Sequence, residues 1–149
     1  GVQKEKGTYH QDLVYTVALL YNVLSTDINN YLAKFDLSIG KLNILTAVQR
    51  YGGDTGIKQV EVSHHLIVTP SNMTKMIDRM EKDGLVQRLA LEGDRRVKIL
   101  KTTIKGRDLV NRLWDGYQER LKSATDVLPK QKQKQLADLL IEWLNGVKA

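Results

Sequence analysis

The chain has 149 residues, 42% of them apolar and 27% charged, the length and balance of one globular domain able to bury a core. It has no cysteine, which excludes disulfides, thiolate metal sites and thiol redox sensing. No apolar run approaches the roughly 20 residues that span a bilayer, and no signal-peptide pattern opens the chain, so cytoplasmic residence is the expectation. The net charge is +6, and ten Lys/Arg stand against five Asp/Glu between residues 69 and 107. That one segment carries nearly all the excess, and it reads either as a solvated basic surface or as the footprint of a polyanion.

In chain order, residues 10–35 place Leu13, Val17, Leu20, Tyr21, Leu24, Ile28, Tyr31, Leu32 and Phe35 at sustained helical spacing, which predicts a long first helix. Asp36-Leu37-Ser38 breaks it. Ser38 is a cap for a second helix running through Leu42, Leu45, Val48 and Tyr51. Residues 52–56 (Gly-Gly-Asp-Thr-Gly) are a loop by composition. Residues 57–67 read as a short third helix, joined to the next only through Val68-Thr69.

Thr69-Pro70 is a helix start, a capping hydroxyl followed by a residue that needs no amide partner. Gly84 is the matching stop. Met73, Met76, Ile77 and Met80 fall within an arc roughly 100° wide. The opposite face holds Ser71, Lys75, Asp78 and Lys82, flanked by Asn72, Thr74 and Arg79. It suits a helix laid into a phosphate-lined groove. Two β-rich runs, 86–92 and 96–101, then surround the turn chemistry of Gly93-Asp94. Thr103 caps a second long helix carrying Leu109, Leu113, Trp114, Tyr117 and Leu121. Pro129 opens a last one with the stripe Leu136, Leu139, Leu140, Trp143 and Leu144.

Two short helices a few residues apart, the second polar on its outer face, form a helix-turn-helix. The basic hairpin behind them makes it winged. The expected fold is therefore mainly α with a small β-hairpin wing. Residues 37–102 are the reading lobe of a single domain, 1–149, and long helices in 9–36 and 103–147 form a dimerisation region. Those helices have more apolar surface than a small winged-helix core covers, and a closed two-fold dimer is the commonest solution; one long intramolecular bundle is the alternative.

The same residues resemble the MarR family of transcriptional regulators. Residues 62–69 (Val-Ser-His-His-Leu-Ile-Val-Thr) are similar to its Leu-Ala-x-x-Leu-x-Val-Ser helix-turn. Met73 to Arg88 follows its recognition-helix signature, Gly93-Asp94-Arg95-Arg96 its wing motif, and Thr103-Ile104-Lys105-Gly106 the start of its next helix. The detailed likeness covers about residues 60–106; the terminal helices agree in placement and length. Thr102 stands where the family has Leu, and Val62-Ser63 replace Leu-Ala. The missing cysteine rules out the thiol-based peroxide sensing of some members. The resemblance implies a homodimer on a pseudo-palindromic operator in double-stranded DNA, usually a repressor released by a small, often aromatic ligand.

Candidate DNA contacts are Ser71, Asn72, Thr74, Lys75 and Arg79 on the helix, with Asp94, Arg95 and Arg96 at the wing tip. Hydroxyl and amide groups in a first turn reach base edges or phosphates. A guanidinium enters a narrow minor groove, with Asp94 holding its fork; the resemblance favours Arg96 as the inserted residue. Asp78, which would repel phosphate, is expected to pair with Lys82 one turn on. His64 and His65 point about 100° apart on a helix and make no metal site with the distant His10. Tyr15, Tyr21, Tyr31 and Trp114 line a pocket or belong to the core. No nucleophile elbow, glycine-rich phosphate loop or metal spacing points to an enzyme or a cofactor. The rival reading is a winged-helix module that turns this surface to a protein.

Overall fold

The structure is a computed structural model that describes residues 9–64, 70–91 and 93–148. Along the chain run α1 (Tyr9–Ala33), α2 (Ile39–Gly52), β1 (Ile57–Lys58), α3 (Gln59–His64), α4 (Pro70–Lys82), β2 (Val86–Leu91), β3 (Asp94–Thr102), α5 (Ile104–Thr125) and α6 (Lys130–Lys148). The chain divides into two compact units between Trp114 and Asp115, inside α5.

In the first unit, α1 stops where Asp36 takes a left-handed conformation (φ 55°). The Asp36 amide returns to the Ala33 carbonyl at 3.1 Å and the Leu37 amide to that of Leu32 at 3.1 Å. This pair of bonds satisfies the last helical carbonyls, and aspartate tolerates the conformation better than most side chains. Ser38 is extended and its hydroxyl accepts the Lys41 amide, the cap expected for α2. The Asn29 side chain adds a second acceptor, for the Ile39 amide at 3.0 Å.

The third helix starts two residues later than its spacing predicts. Ile57 and Lys58 form a strand antiparallel to β3, Ile57 opposite Leu100 and Lys58 opposite Ile99, so the sheet has three strands in the order β1-β3-β2. Gly56 decides this. Its φ is 87°, and a Cβ there would lie 2.5 Å from Ile99 Cγ2 and 2.8 Å from the Leu100 carbonyl oxygen. The chain is thus pressed flat on β3, and the next two residues find sheet partners before helical ones. The remainder of the expected helix, 65–67, and the turn through Thr69 lie outside the described residues.

Ile44, Leu45, Val62, Ile77, Met80 and Leu100 are among the side chains sealed in the core, with Leu113 of α5. The Tyr31 hydroxyl donates to the Leu113 carbonyl at 2.9 Å, fastening α1 to α5, while its ring meets Phe35 edge-on. Leu32 is the buried residue of α1; Leu13 (55% exposed), Tyr21 (72%) and Val23 (66%) stand in solvent.

In the second unit, the Pro129 carbonyl accepts the Gln133 amide at 3.0 Å as α6 opens. Burial pushes the Tyr117 phenol above its ordinary range. Leu136, Leu139, Leu140, Trp143 and Leu144 of α6 are between 38% and 62% exposed, so its apolar stripe is only partly covered.

Candidate nucleic-acid interface

The sequence of α4 prescribes both its length and its orientation. Gly84 sits at φ 70°, the Gly84 amide bonds the Glu81 carbonyl at 3.0 Å, and the Leu85 amide bonds that of Met80 at 2.8 Å. That motif needs a residue free to adopt positive φ, and glycine supplies it without strain. Met73 (3% exposed), Ile77 (0%) and Met80 (0%) face the core. Asn72, Thr74, Lys75, Arg79 and Lys82 are exposed on the other side. Among the described residues no carboxylate pairs with Lys75 or Arg79. The Ser71 backbone belongs to α4, but its side chain, like that of Arg95, lies outside the described part.

Asp78 does not pair with Lys82. Its carboxylate binds the Arg88 guanidinium at 2.6 Å, and Glu81 binds the same group at 3.0 Å. Arg88 leaves β2 on the side of buried Val86, two residues earlier, so its side chain crosses under α4 rather than into solvent. It also donates from Nε to Gln59 of α3 at 3.1 Å and from Nη2 to the Thr74 carbonyl at 3.4 Å. The Arg88 amide donates to Glu81 Oε1 at 3.1 Å. One planar fork therefore joins both helices of the helix-turn-helix to the wing, using the multiple donors that a lysine lacks. Its single positive charge offsets half of the negative charge that Asp78 and Glu81 bring to α4. The sequence places Arg88 among the basic residues and at the end of the recognition-helix signature, with no partner assigned to it. The signal was there: acidic residues three apart on α4, and an arginine two residues after a buried valine.

A second set of contacts fixes the C-terminal end of α4. Lys41 binds the Asp83 carboxylate at 3.1 Å, and Lys105 donates to the Asp83 carbonyl at 2.7 Å. Both cations sit where the helix dipole favours positive charge. The Thr103 hydroxyl donates to the Gly84 carbonyl at 2.6 Å while accepting the Gly106 amide at 3.0 Å, so the cap of α5 is also a clasp on the turn after α4.

The wing is less regular than a tight hairpin. Ala90 pairs with Lys98, but Leu91 pairs with Asp94, so Arg95, Arg96 and Val97 bulge from the ladder. Gly93 has φ 86° at the tip, and Glu92 is outside the described residues. The Asp94 carboxylate accepts the Arg96 backbone amide at 2.9 Å. It thus holds the main chain of the bulge, as aspartate does with an amide two residues on. Arg96 is exposed.

Of the four aromatics read as either pocket or core, Trp114 lines a cleft of about 660 Å³ with Asn43, Thr46, Arg50, Tyr51, Val110 and Asn111. Tyr15 and Tyr21 are exposed on α1, and Tyr31 makes the α5 contact above. Among the described residues no cluster of His, Asp and Glu has the arrangement of a metal site, and no helix is long and apolar enough to cross a membrane.

A short helix, a second helix with an apolar inner and a cationic outer face, and a three-stranded sheet with an arginine-bearing tip define a winged helix-turn-helix protein. Comparison with known proteins narrows the class. The model of the MarR family matches residues 37–98 of this chain. It is similar to the HTH-type transcriptional regulator PecS of Dickeya dadantii, 24% identical over 86% of this chain and 77% of PecS. The fold matches that of a mutant MarR from E. coli crystallised with operator DNA (TM-score 0.83, 22% identity, 95% of this chain and 99% of that one). It also matches a MarR family transcriptional regulator from Streptomyces coelicolor in complex with DNA (TM-score 0.86, 18% identity, 100% and 94% of the two chains).

Proposed function

We propose that this chain is a sequence-specific double-stranded DNA-binding transcriptional regulator, working as a homodimeric repressor on a pseudo-palindromic operator and released by a small ligand. The observation that carries the reading is the outer face of α4. Asn72 and Thr74 lie near its start and Lys75 and Arg79 follow, all exposed, while Arg88 draws Asp78 and Glu81 to itself and offsets half of their charge. In this reading α4 enters the major groove, Lys75 and Arg79 bind phosphates or base edges, and residues 37–102 form the reading lobe. The solved relatives bound to DNA support it. The ligand would enter the cleft beside Trp114, where Arg50 offers a cation and Tyr51 and Trp114 offer rings.

The test is operator selection from random duplexes, followed by affinity measured against salt. Counterion release predicts a logarithmic slope of about −0.9 per neutralised phosphate. A steep slope together with two-fold symmetric sites supports the reading. Binding that ignores salt, or sites without symmetry, would overturn it in favour of a protein-binding module.

The dimer is expected because α1 and α6 each leave an apolar face in solvent. A symmetric pair would set the two recognition helices about 34–36 Å apart, one turn of DNA. A monodisperse monomer at micromolar concentration in light scattering would remove both the dimer and the palindrome.

At the wing, Arg96→Ala should weaken operator binding by about 1–3 kcal/mol per site. Arg96→Lys should recover only part, because an ammonium lacks the planar fork. Asp94→Ala should resemble Arg96→Ala despite removing a negative charge, since the bulge that presents Arg96 loses its acceptor. Titration of the three variants at one salt concentration decides. Tighter binding by Asp94→Ala than by the parent would mean that net charge alone governs the wing.

A further inference from the structure

The chain has three methionines, Met73, Met76 and Met80, and all of them lie on α4. With no cysteine present, they are its only sulfur atoms. Their environments differ. Met73 is 3% exposed and Met80 is sealed, whereas Met76 is half-buried. Its Cε methyl rests on Gly40 of α2: a Cβ at residue 40 would fall 2.5 Å from Cε and 3.5 Å from Sδ. Glycine leaves α2 a flat seat there, and the thioether fills it. The Ser38 hydroxyl also approaches this seat but is engaged as acceptor of the Lys41 amide. Lys75 immediately precedes Met76, and Arg79 follows three residues later, so the exposed reading face and this seat share one rigid turn of helix.

We propose that Met76 is an oxidative modification site through which hydroperoxides loosen α4 from α2. The step is a two-electron oxygen transfer. The Met76 sulfur attacks the terminal peroxide oxygen, an S–O bond forms as the O–O bond breaks, and the departing oxygen leaves as water or alcohol after taking the proton. Sulfur is oxidised and the peroxide reduced. The product sulfoxide is polar and more bulky, and it replaces an apolar contact with an oxygen that needs a hydrogen-bond donor. Met73 and Met80, shielded in the core, react only when the helix has opened. The inference depends on the DNA-binding reading only for its effect on the operator.

The experiment treats the full chain and Met76→Leu, a substitution of similar volume, with hydrogen peroxide. Oxygen uptake is mapped by peptide mass, and melting temperature and operator affinity are followed. The first oxygen should enter Met76, the melting temperature should fall, and operator affinity should drop about tenfold; methionine sulfoxide reductase should restore both. Met76→Leu should keep its melting temperature and affinity at the same dose. The proposal is overturned if Met73 or Met80 reacts as fast as Met76, if Met76 sulfoxide melts like the parent, or if Met76→Leu loses as much as the parent. If the untreated protein binds no operator, the regulator reading fails by itself, and the oxygen map and melting curves still decide this one.

Discussion

Met80→Ala should destabilise the fold by about 2–5 kcal/mol, the cost of truncating a fully buried methionine, while Lys75→Ala should move stability by less than about 0.5 kcal/mol. The two residues are five positions apart on one helix and face opposite ways. Met80 is completely buried, and its own carbonyl accepts the Leu85 amide that closes the helix end. A cavity opened there lies under the turn that aims β2. Lys75 is exposed, and among the described residues no carboxylate holds it, so its removal should appear in operator binding and not in the melting curve. Thermal melts of both variants check this. A Lys75→Ala protein less stable than Met80→Ala would mean that the inner and outer faces of α4 are assigned the wrong way round.

Arg88→Ala is expected to damage stability and reading together. The guanidinium side chain is 19% exposed and serves carboxylates that are 49% and 39% exposed. Half-open partners discount the loss relative to a buried pair, and about 1–3 kcal/mol of stability is the expected size. The second consequence is electrostatic. Without Arg88, Asp78 and Glu81 bring uncompensated negative charge to the helix proposed to enter the major groove, and the wing loses its tie to α3 and α4. Operator affinity should fall at least tenfold, about 1.4 kcal/mol. Arg88→Lys should rescue little, because a single ammonium cannot span Asp78, Glu81 and Gln59 at once. Melting curves and operator titrations at fixed salt give the answer. A variant as stable as the parent that binds DNA equally well would show that Arg88 is an ordinary surface cation.

Local chemistry in the sequence was enough to determine much of this protein. Ser38 and Thr103 are caps whose hydroxyls have amides within reach, and Gly84 is the residue that a left-handed helix stop requires. The methionine stripe assigned the faces of α4 because a helix repeats every few residues and its apolar side must be covered. These features depend on neighbours in sequence, so sequence displays them.

What only the tertiary structure decided involves residues that sequence keeps apart. Ile57 became a strand because β3, some forty positions later, lay against Gly56. Helical spacing across 57–67 carried no sign of that partner. Asp78 took Arg88 rather than Lys82 because β2 delivers a guanidinium under α4, and a fork that satisfies several acceptors at once outcompetes a solvated lysine one turn away. Asp94 turned to a backbone amide because the wing bulges at Arg95 to Val97, a register fixed by the pairing of whole strands. In each case the local preference was real but small, and a distant partner offering better geometry overrode it.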